Sequence, residues 1–401
     1  MNIHYDLIVI GAGPSGSTTA YHASKLGIKT LIIDKQRFPR NKICAGGLTL
    51  ASVKLLDFQL PEELIEGKCR GGVVYYKGRK CSVELPEDVV YMISRKKFDN
   101  FLLEKAIEAG AVRGDGIKCT GIERQGTEIK VLCENGSFSA PIIVGADGYN
   151  SIVRKSFYRP YTKEEGGICI TSEINRDDIK NPELIQKPLF HVDYGVVEKG
   201  YGWIFPKKHI VSIGIGCTLF EAHKLKETFA KFINNHGILD QTRKKIKVVS
   251  AFIPLKPDWK KFVFDNALLV GDAGGFVDPF TGEGIRYAII SGKEAAISIY
   301  NALNRGDPTV HSLKEFEERC REGVLKELQS LLGFTDFIFG HKRIVLPVAV
   351  SSRKAMNRYL TTFTGKLKFS DFKKWLKRRS FFIVIKSLKR LILERPGKSL
   401  N

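Results

Sequence analysis

Gly11-Ala-Gly-Pro-Ser-Gly16 closes the apolar run Leu7-Ile-Val-Ile10 and is followed, past a helix-like segment, by Leu31-Ile-Ile-Asp34. A short continuous apolar run of this kind reads as a parallel strand buried on both faces. Such a strand must turn sharply into its crossover helix. Gly11 permits the tight turn, Gly13 lets the backbone approach a pyrophosphate, and Gly16 lets helix and sheet pack closely. Around Ser15 the free N–H groups and the dipole of the helix stabilise phosphate charge. Asp34 stands eighteen residues beyond Gly16, with Lys35 beside it, where a carboxylate accepts hydrogen bonds from ribose hydroxyls. The stretch predicts a Rossmann-like α/β start that binds a dinucleotide. Taken alone it leaves three readings: FAD, NAD, or a glycine-rich turn with no ligand.

Two later stretches narrow the choice. One is Ile142-Ile-Val-Gly-Ala-Asp-Gly148; the other is Leu268-Leu-Val-Gly-Asp-Ala-Gly-Gly275, running into Pro279-Phe-Thr-Gly-Glu-Gly284. In this order and at these distances the three resemble the FAD-dependent reductases and hydroxylases of the glutathione-reductase superfamily. The resemblance implies FAD, with Asp147 and Gly148 near the nucleotide and Asp272 on the ribityl chain. It also implies a helix starting after Gly282 and Gly284, at Ile285, with its N-terminus aimed at the flavin pyrimidine ring. A positive helix end there stabilises the negative charge of reduced flavin. Arg95, in Met92-Ile-Ser-Arg-Lys-Lys-Phe-Asp99, sits where the superfamily has an arginine opening a long helix against the cofactor. A solvated surface cation is the plainer reading of it.

Phe38-Pro-Arg-Asn-Lys-Ile-Cys-Ala-Gly-Gly-Leu48 and Tyr201-Gly-Trp-Ile-Phe-Pro206, the latter followed by Gly214-Ile-Gly216, are similar to segments of the geranylgeranyl reductase family. That resemblance implies hydrogenation of C=C bonds in an isoprenoid chain carried on a polar head, with hydride from the reduced flavin N5. It places Cys44 and Ala45 by the flavin, with Cys44 the candidate catalytic side chain, and Tyr201, Trp203, Phe205 and Pro206 on the substrate. Alternation along a strand puts the three aromatics on one face, suited to an apolar chain or to ordinary core packing. His191, Tyr194 and Tyr287 are further proton sources by residue type alone, and no general acid is assigned. The rivals are an FAD monooxygenase or halogenase and a prenyl-binding escort without redox turnover. Tyr201 and Phe205 depart from the W-x-W-x-I-P pattern of halogenases. No second G-x-G-x-x-G follows a strand, so the reductant is NAD(P)H or a ferredoxin-like acidic protein. The head could be a diphosphate, a glycerophospholipid, a chlorophyll ring or a quinone.

The layout predicted is discontinuous. Residues 1–55, 91–155 and 265–306 form the FAD-binding domain, 56–90 and 156–264 a β-sheet substrate domain, and 307–401 a helical, basic C-terminal region. Eight cysteines without C-x-x-C or zinc-like spacing suit reduced thiols in a cytoplasm, and no metal site is expected. The first strand begins within a few residues, so no leader peptide is expected. The formal net charge is +21, and residues 341–401 hold 17 of the 64 basic residues against two acids, Asp371 and Glu394. There Phe372, Trp375, Leu376, Phe382, Ile383, Leu388, Leu391 and Ile392 recur near helical spacing among lysines and arginines. The pattern fits a helix on the anionic inner face of a cell membrane, or a helical cap on the core. It carries no recognised nucleic-acid motif.

Overall fold

The computed structural model describes residues 3–239, 246–376 and 378. A six-stranded sheet runs in the order Val263–Phe264, Ala267–Leu269, Ile142–Gly145, Leu7–Ile10, Thr30–Asp34, Val112–Asp115. All its pairings are parallel except the hairpin of the first two strands. Leu7, Ile8, Val9, Ile142, Ile143 and Val144 are wholly buried, as strands covered on both faces require. The helices Pro14–Lys25, Arg95–Glu108 and Ile285–Asn304 pack together beside it. A four-stranded sheet, Ile3–His4 with Gly136–Ala140, Glu128–Cys133 and Cys119–Gln125, flanks the nucleotide end.

A seven-stranded sheet runs Val249–Pro254, Gly166–Asn175, Ile210–Thr218, Gly200–Pro206, Leu189–Asp193, Gly71–Tyr76, Arg79–Glu84. Its two faces divide by alternation. Ile204, Val211, Ile213 and Ile215 pack under Phe229, Phe232 and Ile233 of the helix Leu225–Asn235. Trp203, Tyr201 and Phe205 point the other way, toward the six-stranded sheet. The helices Val324–Gly340 and Arg353–Phe363 close over that side. A last helical stretch, 369–376, lies against them: Phe372 is buried, with Tyr359 at 5.7 Å and Phe334 at 6.3 Å between ring centroids.

Of the two readings of Phe372, Trp375 and Leu376, a membrane face or a helical cap, the packing is that of the cap. All three pack on the core, because an aromatic stripe formed by Phe334, Tyr359 and Phe369 is there to cover. The remaining apolar positions of that pattern, Phe382, Ile383, Leu388, Leu391 and Ile392, lie outside the described residues. Among the described residues, no helix is long and apolar enough to cross a membrane. All eight cysteines are unpaired, and no cluster of metal-ligating side chains occurs among the described residues.

Candidate active site

One cavity of about 840 Å³ runs between the two large sheets, from the Gly11–Gly16 turn to the helix Arg353–Phe363. The turn has the features a phosphate needs. Gly11 has φ +105°, and a Cβ there would lie 2.4 Å from the Ala146 carbonyl oxygen. A Cβ on Gly16 would lie 1.8 Å from the Gly11 carbonyl oxygen, so strand and helix touch through bare backbone. Gly13 is different: an added Cβ would meet only the Arg40 guanidinium, at 3.7 Å, because the space above it is cavity. The helix Pro14–Lys25 that follows has no side-chain cap and no acid in its first turn, which leaves its N–H donors for an anion.

Asp34 closes its strand with Oδ2 accepting from Ala12 N and Oδ1 from Gln36 N, each at 2.9 Å. One lone pair of each oxygen remains for hydroxyl donors. Asp147 accepts from Ile152 N at 2.6 Å through Oδ2, while its buried Oδ1 has no hydrogen-bond partner among the described residues. Asp272 turns its carboxylate to the cavity and takes no hydrogen bond from the described residues; burial pushes its carboxyl pKa up, with Lys42 and Arg95 pulling against this. Gly284 caps the helix Ile285–Asn304 without a side-chain bond, so a second free helix N-terminus opens on the same space. Two bare helix ends and three acids with unused acceptor sites suit a ligand bearing phosphates and hydroxyls. FAD has that composition.

Arg95 opens its helix and is neither solvated nor isolated. Its Nε and Nη2 donate to Asp99 at 2.6 and 2.8 Å, and Arg40 Nη1 approaches the same carboxylate at 3.1 Å. Burial opposes its charge, but Asp99 and then the Cys44 sulfur outweigh this and hold it above the usual arginine range. The Cys44 Sγ accepts from Gly46 N at 3.4 Å and lines the cavity. Arg95 thus anchors the loop that carries Cys44 and Ala45.

Tyr201, Trp203 and Phe205 all line the cavity from the strand Gly200–Pro206. Around them stand Phe190, Tyr194, Phe280, Tyr359 and Phe363, with centroid spacings such as 5.8 Å for Phe190–Phe205 and 5.7 Å for Tyr194–Tyr201. The Tyr201 hydroxyl donates to the Thr281 carbonyl, tying this wall to the loop before Ile285.

Nearly all the sites read from the sequence meet here: Gly11, Gly13, Ser15, Asp34, Lys35, Cys44, Ala45, Arg95, Asp147, Gly148, Asp272, Gly282, Gly284, Ile285 and the three aromatics. Two do not. Gly16 sits beneath the turn, against Gly11. Pro206 falls on the opposite face of its strand, with Gly202 and Ile204, because side chains alternate. Of the further proton sources, Tyr194 reaches the cavity. His191 faces away and meets Tyr75 Oη at 2.9 Å, and Tyr287 donates to Glu327 at 3.3 Å.

Sequence reasoning missed Arg40, Asp99, Thr49, Glu283 and Cys169. It also missed the wall of Phe339, Met356, Tyr359, Leu360 and Phe363. Glu283 Oε1 accepts from Thr49 and Ser52 at 2.7 and 2.8 Å. The i, i+4 pairs Arg95/Asp99 and Tyr359/Phe363 were the available signals.

A profile described as the FAD binding domain matches residues 4–326. The protein is therefore an FAD-dependent oxidoreductase of this fold. A digeranylgeranylglycerophospholipid reductase from Methanocaldococcus jannaschii is 30% identical over 346 residues, covering 83% of this chain and 86% of that one. A geranylgeranyl diphosphate reductase from Rhodobacter capsulatus is 31% identical over 334 residues, covering 80% of each. The crystal structure of a geranylgeranyl bacteriochlorophyll reductase-like protein from Thermoplasma acidophilum shares the fold, with a TM-score of 0.76 at 21% identity, covering 94% of this chain and 100% of that chain. The chain belongs to the geranylgeranyl reductase family.

Proposed function

We propose that the protein saturates C=C bonds in the isoprenoid chain of a lipid, without molecular oxygen. The observation that carries this is the continuity of one cavity, polar at the Gly11–Gly16 turn and walled by aromatics from Tyr201 to Phe363. Bound FAD, once reduced, would supply from N5 the hydride for one alkene carbon, and an acid or water would supply the proton for the other. We assign cofactor contacts to the turn, Asp34, Lys35, Ala45, Asp147, Gly148, Asp272, Gly282, Gly284 and Ile285. The three strand aromatics hold the chain. The segments 1–55, 91–155 and 265–306 act as the cofactor domain, and 56–90 with 156–264 as the substrate domain. An unactivated alkene has little polarity, so alignment by the aromatic wall and exclusion of water contribute much of the rate.

Cys44 stands on the cavity wall beside Arg95, and we assign it to positioning at the reacting centre. The reductant is a nicotinamide nucleotide or an acidic ferredoxin-like protein, and anaerobic bleaching of the flavin by each separates them. A lipid substrate and a net charge of +21 support work in the cytoplasm, at the inner face of the cell membrane. Lipid analysis of a host with and without this chain tests the whole reading. Loss of the chain should leave lipids richer in double bonds, and an unchanged lipid profile would count against it.

A further inference from the structure

We propose that the rim at one end of this cavity is a docking surface for a lipid bilayer, through which the isoprenoid chain enters directly. The inference rests on the isoprenoid reading above and names the surface that serves it. One lip is an end of the seven-stranded sheet. The pairings Gly200 with Cys217, Gly167 with Thr218 and Gly166 with Pro254 align strand ends there, and Lys199, Thr218 and Lys256 line the cavity from that edge. The facing lip is the last part of the helix Val324–Gly340, where Thr335, Asp336, Phe339 and Gly340 line the same cavity.

Two ties hold the lips in place. Lys256 Nζ pairs with Asp336, and the buried Lys342 ammonium donates to the carbonyls of Val197 and, at 2.8 Å, Glu198. Between these ties the lips bound the passage from the outside to the aromatic wall.

Around this rim stand large apolar side chains that stay well exposed among the described residues. Phe220 is 50% exposed, Phe252 41%, Phe337 52% and Ile344 61%. They follow the opening in order. Phe252 lines the cavity itself. Phe220 carries Lys163 over its ring at 5.1 Å, two residues before Glu165, whose carbonyl accepts from Lys256 N at 3.0 Å. Phe337 adjoins Asp336 and lies 5.0 Å from the His341 ring, and His341 O accepts from Ile344 N at 2.9 Å.

The charge of the rim is mixed: Lys163, Lys199 and Arg343 stand near Glu164, Glu198 and Glu221. Charge therefore does not select the occupant; apolar continuity does. A protein partner seated here would plug the passage, whereas a bilayer both covers the exposed rings and delivers the chain. A chain crossing water instead would expose every methylene on the way. The excess of basic residues elsewhere draws the protein to an anionic surface, and the rim then inserts.

The test uses the full-length, FAD-loaded protein and vesicles of phosphatidylcholine with phosphatidylglycerol. Replacing Phe220, Phe337 and Ile344 together by Ser should weaken vesicle binding at least tenfold, at low and high salt alike. Flavin absorbance and turnover of a detergent-dispersed isoprenoid lipid should stay unchanged. Leu26→Ser with Val310→Ser, exposed elsewhere, should bind as the unaltered protein does. Independently, Trp placed by Phe337→Trp or Ile344→Trp should shift its emission to the blue and be quenched by brominated lipid. Unaltered vesicle binding of the triple variant, or an unshifted Trp, would overturn the docking surface. Absence of turnover in detergent by the unaltered protein strikes the isoprenoid reading instead, and is read in a separate assay.

Discussion

Arg95 grips Asp99 through two parallel hydrogen bonds, Nε to Oδ1 at 2.6 Å and Nη2 to Oδ2 at 2.8 Å, around a carboxylate with no exposure to solvent. Arg40 approaches the same carboxylate at 3.1 Å. Removing the shared anion leaves buried Arg95 only the Cys44 sulfur, and Arg40 only Asp34 at 3.8 Å, and a broken buried pair costs about 3–5 kcal/mol. Asp99→Ala should lower unfolding stability by that amount and loosen the loop bearing Cys44. Urea unfolding reads the first effect, and faster alkylation of Cys44 reads the second.

Gly13 and Gly16 should separate cofactor binding from folding. An added methyl on Gly13 meets open cavity, so Gly13→Ala should fold normally and bind FAD at least tenfold more weakly. On Gly16 the methyl collides with the Gly11 carbonyl at 1.8 Å, so Gly16→Ala should cost about 3 kcal/mol of stability. Thermal unfolding beside FAD titration checks both. Equal effects of the two substitutions would count against the geometry of the turn.

Tyr201→Phe keeps the aromatic wall and removes only the hydroxyl bond to the Thr281 carbonyl. It should cost about 1 kcal/mol of stability and lower kcat more than it raises KM. Phe205→Ala should do the reverse, raising KM for the isoprenoid chain. Steady-state kinetics on both variants decides this.

His191 supplies a pH dependence. Burial, with His236 nearby, lowers its pKa from 6.5 to about 4. The unfolded chain therefore binds the proton first as pH falls. Above pH 6.5 this group costs no stability; as pH falls from 6.5 to 4 stability declines, and the loss reaches about 3 kcal/mol at the bottom of that window. His191→Gln should flatten this part of a stability profile measured by chemical unfolding from pH 7.5 to 4.

The cofactor end was legible because its constraints are local. A strand, three glycines and an acid at fixed spacing must fold as they do, and Asp34 and Asp272 line one cavity from distant parts of the chain. The aromatic wall was half legible. Tyr201, Trp203 and Phe205 follow from period-two alternation, which also sends Pro206 to the other face. Tyr359 and Phe363 come from a helix more than a hundred and fifty residues away, in a stretch read only as helical and basic. Phe372 stayed open between two readings because an apolar stripe does not state which surface covers it. Arg40 and Asp99 became visible as partners only when folding laid the loop 35–46 against the helix Arg95–Glu108.

On the proposed function, this cavity saturates an isoprenoid chain with electrons held by the flavin. The direct measurement is single turnover without oxygen: chemically reduced, FAD-loaded protein is mixed with a polyprenyl lipid, and flavin absorbance near ~450 nm and product mass are followed together. The yellow colour should return as the lipid gains about two mass units per double bond reduced. Flavin that stays reduced until oxygen is admitted, with oxygen then incorporated into the product, would contradict it.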